Sequence, residues 1–151
     1  MQAPVFLLFV AVINLGVCQE CAEDWQQFQG NCYRYGGTTV SWGEAQAICQ
    51  SQGARLAEIP TFKVNNFVLT LVKPKKDTCV WLGGYDIFNE GAWEWSSRRR
   101  DFNSFTNWHS GEPNNNNNDQ DCLQMHNQYN YKWDDGSCNE KCNFICAAPV
   151  I

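Results

Sequence analysis

Glu112-Pro113-Asn114 and Asp119-Gln120-Asp121-Cys122 border a run of asparagines, Asn114 to Asn118, and Trp133-Asp134-Asp135 follows shortly after. Carboxylate and amide oxygens are hard ligands, suited to a cation such as Ca²⁺, which takes roughly six to eight of them in flexible geometry. A zinc centre lacks its usual ligands, because the chain has only His109 and His126 and its thiols are better used in bridges. Taken singly, such acids are a solvated surface and such amides are turn formers. Their clustering is what points to a metal. A bridge between Cys122 and Cys138 would draw Gln120 toward Asp134 and Asp135 and make one site from three segments. No Ser/His/Asp constellation, reactive thiol or phosphate-cradling glycine loop accompanies them, so the chain reads as a binder; a glycosidase using the paired carboxylates is the weaker alternative.

The chain must be able to position those oxygens. Its 151 residues suit one domain, and 44% hydrophobic against 18% charged residues is enough for a core. A net charge of −5 argues against nucleic acid as a partner. Nine cysteines point to an oxidising compartment. The uncharged segment 1–18, with its apolar run Val5 to Ile13, reads as a signal peptide: the run is too short to span a bilayer, and Gly16 and Cys18 suit cleavage before Gln19. The expectation is therefore a secreted protein with one domain over 19–151. Cleavage there removes Cys18 and leaves eight cysteines that can pair fully; earlier cleavage would leave Cys18 as an odd thiol.

Cys21 and Cys32 bracket an aromatic segment, Trp25 to Tyr33, that reads as a hairpin closed by its own bridge. Ser41 and Glu44 have capping-box spacing ahead of a helix whose Trp42, Ala45, Ile48 and Cys49 share a face and which Gly53 can end. Thr61 can cap a second helix in which Val64, Phe67, Val68 and Leu71 repeat at helical spacing, stopping before Pro74. Short strands are expected at Val80 to Leu82, Trp93 to Trp95 and Phe144 to Ala147. Between them lies a polar stretch, about Ser97 to Asp121, much longer than ordinary connections, which marks it as functional or held by metal or disulfides. The class is α+β.

Several of these motifs together resemble the C-type lectin family over essentially the whole chain after residue 18. Cys21 to Cys32 resembles the extra N-terminal bridge of its long form, Trp81-Leu82-Gly83-Gly84 its central strand, and Glu90-Gly91 with Trp93 and Trp95 the hairpin that follows. Phe105-Thr106-Asn107-Trp108, Gly111 to Asn114 and Trp133 to Cys138 then come in the family's order. The resemblance implies two helices flanking small antiparallel sheets, with a long calcium-binding loop region stapled by disulfides. It pairs Cys49 with Cys146 and Cys122 with Cys138, and leaves Cys79 and Cys142 to pair by subtraction, to stay free, or to link two chains.

By the same resemblance, Glu112, Asn114, Gln120, Asp134 and Asp135 hold the calcium ion through which the family binds sugar. Gln120 and Asp134 depart from its usual Glu and Asn, yet the carboxylate count is unchanged. Glu112 and Asn114 keep the arrangement that goes with mannose-type ligands; at the second pair, amide donor and carboxylate acceptor are exchanged. Mannose-type monosaccharides are favoured, with galactose in a turned orientation the alternative. A second calcium site would use Asp86, Glu90, Asn115 and Asp121, where Asn115 replaces a more usual Asp and removes one charge. The implied function is a secreted, calcium-dependent lectin recognising terminal monosaccharides of surface glycans. One weak site calls for several copies, hence a homo-oligomer.

Other residues read more plainly. Trp108 and Trp133 are core tryptophans rather than sugar platforms, and Tyr129 and Tyr131 are candidate secondary contacts. His109 is near the loop. Arg98-Arg99-Arg100 is either a solvated loop or a contact for an anionic glycan or lipid. The rival to a lectin is a structural, mineral-matrix or ice-binding protein on the same scaffold. Protonation of the acids near their ordinary titration range is expected to release the metal.

Overall fold

The computed structural model describes residues 20–150, so the expected signal peptide and Cys18 lie outside the described residues. Strands β1 (Gln26–Phe28) and β2 (Asn31–Val40) form the N-terminal hairpin, held by the Cys21–Cys32 bridge. Helix α1 (Trp42–Ser51) begins with a complete capping box: Glu44 N–H donates to the Ser41 hydroxyl, and Ser41 N–H donates to the Glu44 carboxylate at 2.8 Å. These bonds satisfy donors that a helix start otherwise leaves open. Strand β3 (Arg55–Leu56) and helix α2 (Phe62–Val72) follow, with Thr61 Oγ1 capping Val64 N–H. Helix α2 stops ahead of a 3₁₀ turn, Lys73–Lys75, that contains Pro74. The later strands are β4 (Cys79–Tyr85), β5 (Glu94–Trp95), β6 (Cys122–His126), β7 (Lys132–Gly136) and β8 (Cys142–Pro149).

These strands make one connected sheet, ordered β1-β2-β8-β4-β6-β7, with β3 on β8 and β5 on β4. The pairing is antiparallel except for β4 on β8, which run parallel. The small antiparallel sheets expected from the sequence are present and are joined into one through β4. That strand is buried along its length, and its side chains alternate between two cores. Val80 and Leu82 meet Val64, Val68 and Val72 of α2, together with Leu123, Met125, Trp95 and Trp133. Trp81 meets Ala45 and Cys49 of α1, together with Leu56 and Phe144.

The two glycines ending Trp81-Leu82-Gly83-Gly84 are explained by close approach. A Cβ on Gly83 would lie 2.7 Å from the Leu56 carbonyl oxygen, and one on Gly84 would lie 2.8 Å from both Leu123 and Phe102 side chains. Further disulfides join α1 to β8 (Cys49–Cys146), β4 to β8 (Cys79–Cys142) and β6 to the chain after β7 (Cys122–Cys138). The Cys79–Cys142 pairing resolves the alternatives left open by the sequence. Among the described residues no helix is long and apolar enough to cross a membrane.

Candidate functional site

The β6–β7 hairpin and the loop between β5 and β6 together build an acidic centre. Within the hairpin Leu123 pairs with Asp135 and Gln124 with Asp134, while Trp133 is fully buried among Trp95, Phe102, Phe105 and Trp108. That aromatic core fixes the strand from which both aspartates project. The loop is tied to the same strand by two backbone bonds: Trp133 C=O accepts from His109 N–H at 2.8 Å, and Trp133 N–H donates to Asn107 C=O at 2.9 Å. Trp108 and Trp133 are therefore part of the frame.

Asp135 organises the loop. Fully buried, its carboxylate accepts from Asn114 N–H at 3.0 and 3.1 Å and from Asn115 N–H at 2.6 Å. The Glu112–Pro113 peptide bond is cis, and one carboxylate atom each from Glu112, Asp134 and Asp135 comes within 4.8 Å of the others. Asn114 Oδ1 accepts from Asn116 N–H at 2.9 Å, and Gln120 Oε1 accepts from the same N–H at 2.6 Å. An amide oxygen has two lone pairs, so this bond uses only part of Gln120's accepting capacity.

A second cluster lies beside the first. Asp86, which is buried, meets Glu90 and Asp121 within the same 4.8 Å limit, and Gly91 N–H donates to its Oδ2 at 2.8 Å. Asn115 connects the clusters: its backbone N–H is on Asp135, its Nδ2 donates to Glu90, and its Oδ1 accepts from Gln120 N–H at 3.1 Å. Asp119 instead accepts from the Ser137 hydroxyl, at 3.0 Å.

The electrostatics of both clusters are uncompensated. Among the described residues none of these six carboxylates forms an ion pair with Lys or Arg. Burial, a hydrogen bond shared with Asp135 and the charges of Asp134 and Asp135 push Glu112 up to about 7. Burial, with the charges of Glu90, Asp121 and Asp135, pushes Asp86 up to about 6 against the opposing Gly91 N–H bond. Burial also raises Asp134, opposed by its bond from Gln124. Glu112 Oε2 and Asp86 Oδ1 are buried oxygens with no hydrogen-bond partner. An unpartnered buried acceptor in each cluster, an all-oxygen donor set and a surplus of negative charge fit a hard divalent cation.

Gln124 belongs to the site without any signal in the sequence to mark it. It is buried opposite Asp134, and its Nε2 donates to Asp134 Oδ2 at 2.9 Å. A lone glutamine between Leu123 and Met125 looks like any outward strand position, so only the register exposes its role. A Cβ on Gly136 would lie 2.7 Å from Gln124 Nε2. Gly136→Ala is accordingly expected to displace Gln124, leave Asp134 without its donor and weaken calcium binding about tenfold, roughly the worth of one charge-assisted hydrogen bond. A calcium titration followed by tryptophan fluorescence checks this; unchanged affinity would show that Gln124 does not support the site.

The tyrosines separate. Tyr131 is buried and its hydroxyl donates to the Asp77 carbonyl at 3.0 Å, so it is a structural residue and not the sugar contact considered from sequence. Tyr129 is half-buried and stacks on His109, with ring centroids 4.1 Å apart, and His109 C=O accepts from Glu112 N–H at 3.0 Å.

Comparisons with known proteins agree on a class. The lectin C-type domain family model matches residues 38–148. Lectin BRA-3 of Megabalanus rosa is 36% identical over 154 aligned residues, covering 99% of this chain and 91% of its own length. A perlucin-like protein of Mytilus galloprovincialis is 32% identical over 145 residues, with 92% of each chain covered. The chain spans only about a third of the longer C-type lectin domain family 4 member M of Nomascus concolor, at 35% identity over 135 residues. Among solved structures, the cow CD23 carbohydrate-recognition domain, crystallised in the presence of a GlcNAc2Man3 oligosaccharide, has a TM-score of 0.80 at 26% identity, covering 89% of this chain and 99% of its own. Herring type II antifreeze protein has a TM-score of 0.79 at 27% identity, covering 87% and 100%. The chain belongs to the C-type lectin domain family, and as a member it is a binding module and not an enzyme.

Proposed function

We propose that this chain is a secreted, calcium-dependent lectin that binds terminal monosaccharides of glycans, mannose-type ligands in preference to galactose. The observation that carries this reading is the convergence of Glu112, Asp134 and Asp135 around an unpartnered buried Glu112 oxygen. Glu112, Asn114, Gln120, Asp134 and Asp135 would hold Ca²⁺, which when bound supplies direct coordination of two neighbouring sugar hydroxyls. Asn114 has an amide N–H₂ to donate to a sugar oxygen, and Glu112 a carboxylate oxygen to accept from a hydroxyl. That donor–acceptor pair favours the equatorial hydroxyls of mannose-type sugars.

Asp86, Glu90, Asn115 and Asp121 would hold a second ion that braces the loop through Asn115. The disulfides and the apolar segment Val5 to Ile13 support export through an oxidising compartment. Several copies acting together would supply avidity.

The test exchanges the first donor–acceptor pair. The double variant Glu112→Gln with Asn114→Asp is expected to lose retention on immobilised mannose and gain retention on galactose, with calcium still required. Retention of the wild type on galactose alone would assign specificity to Gln120 and Asp134. Absence of sugar binding with calcium binding intact would favour a structural or ice-binding role, to which the antifreeze neighbour shows this fold can be put.

A further inference from the structure

We propose that a cleft walled by Arg55 and Arg99, which shares no residue with the acidic clusters, is a calcium-independent binding site for a sulfated saccharide. The cleft has a volume of about 530 Å³ and lies between the β3–α2 segment, the end of β8 and the start of the long loop. That size falls within the usual range for small-ligand pockets, roughly 300–1,000 Å³.

The basic run singled out from the sequence is divided by the fold. Arg98 is consumed by structure: its Nε donates to the Tyr85 hydroxyl at 3.1 Å and lies 3.3 Å from Glu94, and it does not line the cleft. Arg100 lines the cleft but faces Glu58 at 3.6 Å, and Glu58 also accepts from Ser97 N–H at 3.0 Å. The one carboxylate in the wall is thus already engaged. Arg55 and Arg99 remain, both exposed, and among the described residues neither guanidinium has an ion-pair or side-chain hydrogen-bond partner.

Two unpaired arginines lining one concavity suit an oxyanion, which a guanidinium can grip through two parallel N–H bonds. In a chain of net charge −5 this is a local reversal of sign, and at physiological ionic strength charges beyond about 8 Å are screened, so the local pair decides. The remaining lining offers partners for sugar hydroxyls in Gln29, Asn31, Thr61 and Ser97, beside the buried Tyr33 and the apolar Leu56, Val64 and Pro149. Cations set in a concave cleft of mixed polar and apolar lining match a small sulfated sugar, with its hydroxyl edges and C–H faces, better than a flat lipid surface.

Isothermal titration of the chain with a sulfated disaccharide, in the presence of chelator, tests this. The expected result is binding that weakens as salt is raised, no binding of the unsulfated disaccharide, and binding of inorganic sulfate at least about tenfold weaker because it lacks the hydroxyl contacts. Arg55→Ala with Arg99→Ala should lose at least about tenfold in affinity while Arg98→Ala binds as the wild type. Circular dichroism and retained calcium binding would show that the double variant is folded. Absence of binding, equal binding by the folded double variant, or inorganic sulfate binding as tightly as the disaccharide would overturn the proposal.

Discussion

Asp135→Asn is expected to abolish calcium-dependent sugar binding, lowering calcium affinity by on the order of a hundredfold or more. Asp135 does two things at once: it contributes a carboxylate to the trio with Glu112 and Asp134, and both its oxygens accept backbone N–H groups from Asn114 and Asn115. An asparagine keeps the volume but turns one of those acceptors into a donor facing a donor. Hydrogen bonds to charged groups contribute about 1.5–3 kcal/mol each, so their disruption together with loss of a metal ligand exceeds two decades in affinity. Asp119→Asn is the control, because that exposed carboxylate bonds only Ser137 and stands outside both clusters. A calcium titration of both variants decides between a specific and a diffuse acidic site. Equal, small losses in the two would mean that surface charge alone attracts the ion.

Acidification is expected to release calcium well above the ordinary carboxylate range. Glu112 stands at about 7 in the metal-free protein instead of 4.5. Competition from that one proton lowers apparent calcium affinity on the order of a hundredfold between pH 8 and pH 5, whereas a carboxylate at its ordinary value would cost less than about twofold. The structure thus shifts upward the release range expected from the sequence. The stability of the metal-free protein moves in the opposite sense. With a folded pKa above the unfolded one, the Glu112 contribution is fully present below about 4.5 and is lost as pH rises through about 7, where three unscreened negative charges face each other. Stabilisation by calcium should therefore grow between pH 5 and pH 8. Melting temperatures measured with calcium and with chelator across that range check the sign, and a calcium-induced shift that is flat or shrinks with pH would contradict it.

Local signals with a single physical meaning were legible in the sequence. Ser41 with Glu44 has one structural use, and the capping box is present; Thr61 ahead of Val64, Val68 and Leu71 is equally direct. The oxygen-rich segments also marked the acidic centre without any structure, since Glu112, Asp134 and Asp135 do meet. What stayed hidden depended on register and burial. Strands β6 and β7 carry Gln124, Lys132, Asp134 and Asp135, so their alternation is masked by the polar residues that build the centre. Strand β2 runs on through Gly36-Gly37, residues that depress strand propensity, because β8 pairs with it through Gly36. No pattern in the chain shows that Asp86 and Asp135 are buried, and it is burial that turns two ordinary aspartates into a reason for a cation. The arginine run was ambiguous for a similar cause: three identical residues have three different surroundings, which only the folded chain separates.

On the proposed function, a cation held by Glu112, Asp134 and Asp135 joins this protein to sugar. The most direct test is retention of the protein on immobilised mannose in calcium, followed by addition of a chelator. Retention and prompt release by the chelator are the expected result. Retention that survives the chelator would contradict that function.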